Sequence, residues 1–152
     1  MYRFLVFVHV GSAFLFMLAH GATAAAMFRL RQERDPGAIA ALLEVRRWAE
    51  IPFNVSSAVM FFSGIALGFM GRWWGSGWIW TSLGLLVAIT LVMGIFGRQY
   101  LDRAAALVAP RVGDDPPGDP EEILASGRPM LLTITGIGGF LAIVWLMMFK
   151  PF

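Results

Sequence analysis

The chain has 152 residues, of which 58% are hydrophobic and 14% charged, with a formal charge of +2 and no cysteine. A soluble domain carries roughly 25% charged residues, so this composition excludes a soluble catalytic domain and a nucleic-acid module. Without cysteine there are no disulfides, thiolate metal sites, iron–sulfur ligands or cysteine nucleophiles.

The first apolar segment runs from about Tyr2 to Phe28. At about 1.5 Å per residue it is long enough to cross a bilayer's hydrocarbon core. Only Arg3 precedes its apolar run, which exceeds the length of a cleavable signal peptide, so the segment is expected to be retained as the first span. It holds the only two histidines, His9 and His20. Eleven helical residues place their imidazoles about 20° apart around the axis and about 16 Å apart along it. The same face carries Tyr2, Ser12, Ala13, Phe16, Thr23, Ala24 and Met27. An ionisable group at membrane depth is costly and marks a functional site by default.

The first loop, about 29–50, carries Arg29, Arg31, Arg34, Arg46 and Arg47. Its second half, from Pro36, is expected to form a short amphipathic helix on the membrane surface. The second span covers 51–71 and is expected to place Pro52 in its first turn, where a missing N–H costs little. Its Gly64 and Gly68 form a GxxxG pair that lets a neighbouring helix approach closely. Asn54, Ser56 and Ser57 are polar groups that need partners in lipid.

A tight hairpin, Arg72 to Gly77, leads to the third span at 78–97, which carries a weaker small-residue pair, Thr90 and Gly94. The third loop, 98–128, holds Arg98, Arg103, Arg111 and Arg128 and an acidic, proline-rich patch, Gly113–Glu122, that reads as a solvated linker. Pro129 opens the fourth span, 129–149, where Gly136, Gly138 and Gly139 mark a flexible or closely packed point. The fold class is all-α, a transmembrane four-helix bundle forming one domain over 1–152.

Nine of the twelve basic residues fall in the two long loops, and Arg3, Arg72 and Lys150 fall on the other side. The positive-inside rule predicts cytoplasmic loops at 29–50 and 98–128 and both termini outside. Trp73, Trp74, Trp78, Trp80 and Trp145 then gather at the outer interface as an aromatic belt. The basic residues are placed by topology, so no nucleic-acid partner is expected. The bilayer is the expected environment, with further copies of the chain or other membrane subunits as partners.

Two functional readings of the histidines compete with a structural one. His9 or His20 would ligate haem iron through Nε2, or they would bind a transition metal or relay protons, with a quinone as partner. In the structural reading each imidazole bonds a carbonyl or hydroxyl of a neighbouring helix. Two imidazoles about 16 Å apart cannot clasp one iron, whose axial ligands lie about 4 Å apart. Bis-histidine ligation therefore requires a second ligand from another subunit; otherwise each histidine serves its own haem, or a single haem is five-coordinate or takes a weak sixth ligand such as a methionine. Near the cytoplasmic ends, His20 and Thr23 are expected at the depth of Glu50, Asn54 and Arg98. There Arg98 would pair with Glu50, a haem propionate or a lipid phosphate.

The opening segment Phe4–Gly21, the arginine-rich first loop and the four spans resemble a family of bacterial integral membrane proteins of unknown function. The pattern shares broad features with CopD-like and HemJ-like four-helix proteins. That resemblance implies haem b, with His9 at the position of the haem-linked first-helix histidine. The chain departs from the HemJ-like pattern in lacking an intramembrane lysine, since Lys150 lies at the end of the fourth span. The expected cofactor-binding residues are His9, His20, Arg98 and Asn54, with His9 and His20 also the metal candidates. The expected function is a small haem-b redox or electron-transfer protein of the bacterial inner membrane. The alternatives are a non-catalytic accessory or assembly subunit and a small transporter component.

Overall fold

The computed structural model describes residues 1–109, 120–124 and 126–152, and among them it contains helices and no strands. The first helix, α1 (Tyr2–Leu30), is unbroken for 29 residues, about 44 Å of rise. Proline is absent from it, and its length is carried by residues whose apolar side chains need no partner in lipid. Only a five-residue turn, residues 31–35, separates it from α2 (Pro36–Gly71). Asp35 starts α2 by accepting the Ala38 N–H at 2.8 Å, and Pro36 occupies the first helical position.

Here the structure corrects the expected surface helix. Residues 36–50 are the first part of a 36-residue helix that continues into the second apolar segment, and Pro52 lies in its middle. The cause is packing. Ile39 is buried with Met27 and Leu30 of α1, and Leu42 and Leu43 pack against the same cluster. The apolar face of 36–50 is therefore claimed by neighbouring helices instead of by the membrane surface. Proline at position 52 removes one backbone bond, and the side chain stays on the exposed face beside Ile51.

Arg72 ends α2 in the left-handed conformation (φ 54°) and a single 3-10 turn, Trp73–Gly75, leads into α3 (Gly77–Val92). A five-residue π turn, Met93–Gly97, joins α3 to α4 (Arg98–Ala106) without interrupting the rod. The third helix thus runs past its expected end at Gly97. The short α5 (Pro120–Leu124) precedes α6 (Arg128–Phe149), which Lys150 closes at φ 45°. Most of the acidic patch, residues 113–119, lies outside the described residues.

The helices pack as two antiparallel pairs, α1 with α2 and α3 with α6, joined by sparser contacts of α1 with α6 and α2 with α4. At the end of the bundle nearest the long loops, Met27, Leu30, Ile39, Tyr100, Leu101, Ala104, Leu124 and Leu132 form a buried core. At the hairpin end, Trp78, Ile79 and Leu146 form a second, flanked by Trp73, Trp74 and Met147. Elsewhere the outward faces are apolar, with Phe4, Phe7, Phe14, Leu18, Ile134 and Leu141 exposed. Such faces suit lipid. Among the described residues, four helices are long and apolar enough to cross a membrane, and the fold is an all-α membrane-spanning bundle.

Candidate functional site

The face of α1 that carries both histidines turns toward the other helices, with Ser12, His20, Ala24 and Met27 buried along it. Because α1 is one continuous helix, the two imidazoles remain about 16 Å apart along its axis. They meet different helices. His9 faces α2, whereas His20 faces α6.

His9 is partly buried, and its Nδ1–H donates to the Met60 carbonyl at 2.9 Å and toward the Ser63 hydroxyl oxygen at 3.1 Å. A carbonyl only accepts, so this bond places the proton on Nδ1 and leaves the lone pair on Nε2. Ser63 in turn donates to the Val59 carbonyl at 2.6 Å, keeping its own lone pairs toward the ring. The imidazole comes this close because Gly64 has no side chain: a β-carbon there would stand 3.1 Å from His9 Cε1. Beside this contact lies an open groove of about 400 Å³, lined by Leu5 and Val8 of α1 and by Ala58, Val59, Phe62, Ser63 and Ala66 of α2.

His20 is buried, 6% exposed, and its Nε2 has no hydrogen-bond partner among the described residues. Phe16 lies parallel to it, with ring centroids 6.5 Å apart and planes inclined by 6°. Phe16 also contacts Phe53 at 4.7 Å and Phe140 at 6.2 Å, so rings from three helices surround this level. A β-carbon on Gly136 would stand 2.5 Å from His20 Nε2 and 2.9 Å from Cε1. Glycine at 136 is what admits the ring.

The polar cluster expected near the loop end does not assemble around His20. Glu50, Asn54 and Arg98 are all exposed. The buried Ser56 donates to its own helix at the Phe53 carbonyl, 3.2 Å away, and Thr23 donates to the Ala19 carbonyl at 3.1 Å. Short hydroxyls satisfy themselves on the preceding turn, which removes the need for Asn54 or Arg98 as partners. Among the described residues no group of three or more histidines, cysteines and carboxylates converges on a metal-sized site.

The two histidines differ in their fit to haem. His9 presents the tautomer a metal ligand needs, because metal-bound imidazoles donate their other N–H to a carbonyl or similar acceptor. The neighbouring groove shares Ser63 with this contact, and His9 itself does not line it. His20 Nε2 lies against Gly136, with no room in front of the nitrogen for a planar macrocycle. Sequence reasoning did not find Met60, Ser63 and Gly136 as the histidines' neighbours. The only signals were the GxxxG pair at 64 and 68 and the glycines at 136–139.

Residues 3–151 match the family model described as "Predicted integral membrane protein (DUF2269)", and the chain belongs to that family. No curated protein and no solved structure matches it.

Proposed function

We propose that this member of the DUF2269 family of integral membrane proteins binds haem b, with His9 as an axial ligand, and transfers electrons in a bacterial inner membrane. The observation that carries the reading is the bond from His9 Nδ1–H to the Met60 carbonyl at 2.9 Å. That bond sets the tautomer, orients the ring and raises the basicity of Nε2. Ser63 supports the same nitrogen, and Gly64 lets the ring settle against α2. When bound, haem would supply one-electron chemistry. His20, Asn54 and Arg98 have no part in this reading.

The test is a reduced-minus-oxidised visible spectrum of the purified protein from haem-replete cells. Soret and α bands that vanish in His9→Ala and persist in His20→Ala are expected. A colourless protein would overturn the proposal.

A second reading makes the chain a non-catalytic accessory subunit of a larger membrane complex. It is favoured by the same His9 contact, which already satisfies the ring as an interhelical clasp. Co-purification of stoichiometric partner subunits with a colourless protein would select it. In either reading the arginine-rich loops face the cytoplasm and both termini lie outside. A carboxy-terminal reporter active only in the cytoplasm would refute that orientation.

A further inference from the structure

Among the described residues, four shielded polar atoms at the loop end of the bundle have no hydrogen-bond partner: Arg31 Nε, Ser126 Oγ, Arg128 Nη1 and Thr133 Oγ1. The guanidinium nitrogens can only donate, and both hydroxyls can donate as well. Shielded donors, charged ones above all, require acceptors in the native state.

The four belong to one end of the molecule. Arg31 follows Leu30, which lies in the same core as Tyr100, Leu124 and Leu132. The Tyr100 hydroxyl donates to the Leu124 carbonyl at 3.4 Å, two residues before Ser126. Arg128 then opens α6, whose first turn has no side-chain cap, and Thr133 follows in its second turn.

Among the described side chains, the carboxylates closest in sequence do not supply the missing acceptors. Glu33 accepts the backbone N–H groups of Arg34 and Asp35, and Asp35 caps α2 through Ala38. Asp102 and Glu122 are exposed.

We propose that this end of the bundle binds a phosphate group, supplied by the headgroup of an anionic lipid. Guanidinium forks match phosphate oxygens in shape and charge. Hydroxyls and the uncapped start of a helix complement them. The site lies where the apolar lengths of α1 and α6 end, the level at which lipid phosphates are found. It replaces Arg98, the arginine that sequence reasoning had matched to a lipid phosphate.

The experiment uses the full chain in neutral detergent. Phosphatidylglycerol, phosphatidylcholine and inorganic phosphate are titrated separately, with melting temperature and native mass spectrometry as readouts. Phosphatidylglycerol should stabilise the protein and remain bound, whereas phosphatidylcholine should do neither. Arg31→Gln with Arg128→Gln should weaken phosphatidylglycerol binding about tenfold or more, the scale of a lost charge-assisted hydrogen bond. Arg31→Lys with Arg128→Lys should fall between, and the exposed Arg103→Gln should match the wild type. If the glutamine pair does not fold, the lysine pair and Ser126→Ala carry the comparison. Protection by inorganic phosphate alone, with the same arginine dependence, would support the phosphate site with a soluble source. Equal responses to the two lipids, or equal binding by wild type and arginine variants, would overturn the proposal. So would binding that emerges only once Asp114, Asp115, Asp119, Glu121 and Glu122 are neutralised, since the acceptors would then be the chain's own.

Discussion

His20 and Gly136 interlock across α1 and α6, with the imidazole Nε2 where a side chain on residue 136 would have to start. Any β-carbon on Gly136 therefore pushes the ring or separates the helices. Gly136→Ala is expected to destabilise the bundle by about 1–3 kcal/mol, the usual result of overpacking. The loss should shrink in a His20→Ala background, where the space is vacant. Thermal unfolding of the two single variants and the double variant measures the coupling. Additive effects would show that the two residues do not meet.

The clasp between His9 and α2 divides its proton between a carbonyl and a hydroxyl. Ser63→Ala removes the weaker acceptor and leaves Met60, so a modest loss of about 0.5–1 kcal/mol is expected. Gly64→Val should cost more, because its branches enter the 3.1 Å approach to His9 Cε1. Chemical denaturation in a fixed detergent would rank the two variants. A Ser63→Ala loss equal to that of Gly64→Val would contradict this assignment of roles.

At the opposite end Lys150 holds its ammonium 4.1 Å from the centroid of Trp73 and 5.7 Å from that of Trp78. The next turn of chain is secured by the Trp78 N–H, which donates to the Phe152 carbonyl at 3.1 Å, and by the Phe152 ring against Gly77. Lys150→Met keeps the stem and removes the charge. It should cost about 0.5–2 kcal/mol and alter tryptophan fluorescence, while Lys150→Arg retains most of both. Unchanged emission in Lys150→Met would rule out the cation–ring contact.

Glu33 sits in the turn between α1 and α2 and accepts the backbone N–H groups of Arg34 and Asp35, which hold its carboxyl below the ordinary glutamate value of 4.5. The sign follows from that depression. The stabilisation is present above pH 4.5 and is lost as pH falls through the lower folded value. Carbon-detected NMR titration of Glu33 in micelles should give a midpoint below 4.5. A midpoint at or above 4.5 would contradict the two N–H bonds.

Periodicity made the inward face of α1 legible, because Ser12, His20, Ala24 and Met27 repeat with the helix and all become buried. It also marked Gly64 and Gly68 as close-packing positions. Their partners were not legible, since these depend on how each helix is rotated: Gly64 meets His9, and Gly68 meets Trp74 and Ile79. Thr90 and Gly94, read by the same rule, turn outward, and nothing lies within 4 Å of a β-carbon built on Gly94. The continuity of α2 through Pro52 was hidden for a different reason. Local signals favour a break there, and tertiary contacts of Ile39, Leu42 and Leu43 override them. Polarity also misdirected the reading of the loop end. Asn54 and Arg98 carry the expected chemistry yet face outward, whereas Arg31 and Arg128 have shielded donors.

The π turn at Met93–Gly97 gives the third helix a change of phase. A π turn accommodates one residue more than the α turn it replaces, so residues beyond it are rotated by about 100° relative to an uninterrupted α-helix. Trp78, Ile79 and Ser82 before it and Tyr100, Leu101 and Ala104 after it are each buried, in different neighbourhoods. In an uninterrupted α-helix these two sets would stand about 40° apart around the axis, and the π turn sets them about 60° apart in the opposite sense. Length in this stretch is consequently slack: removing one residue between 93 and 97 would let an ordinary α turn span it with Tyr100 still directed at Leu124, whereas forcing all five residues into α geometry would turn Tyr100 by about 100°.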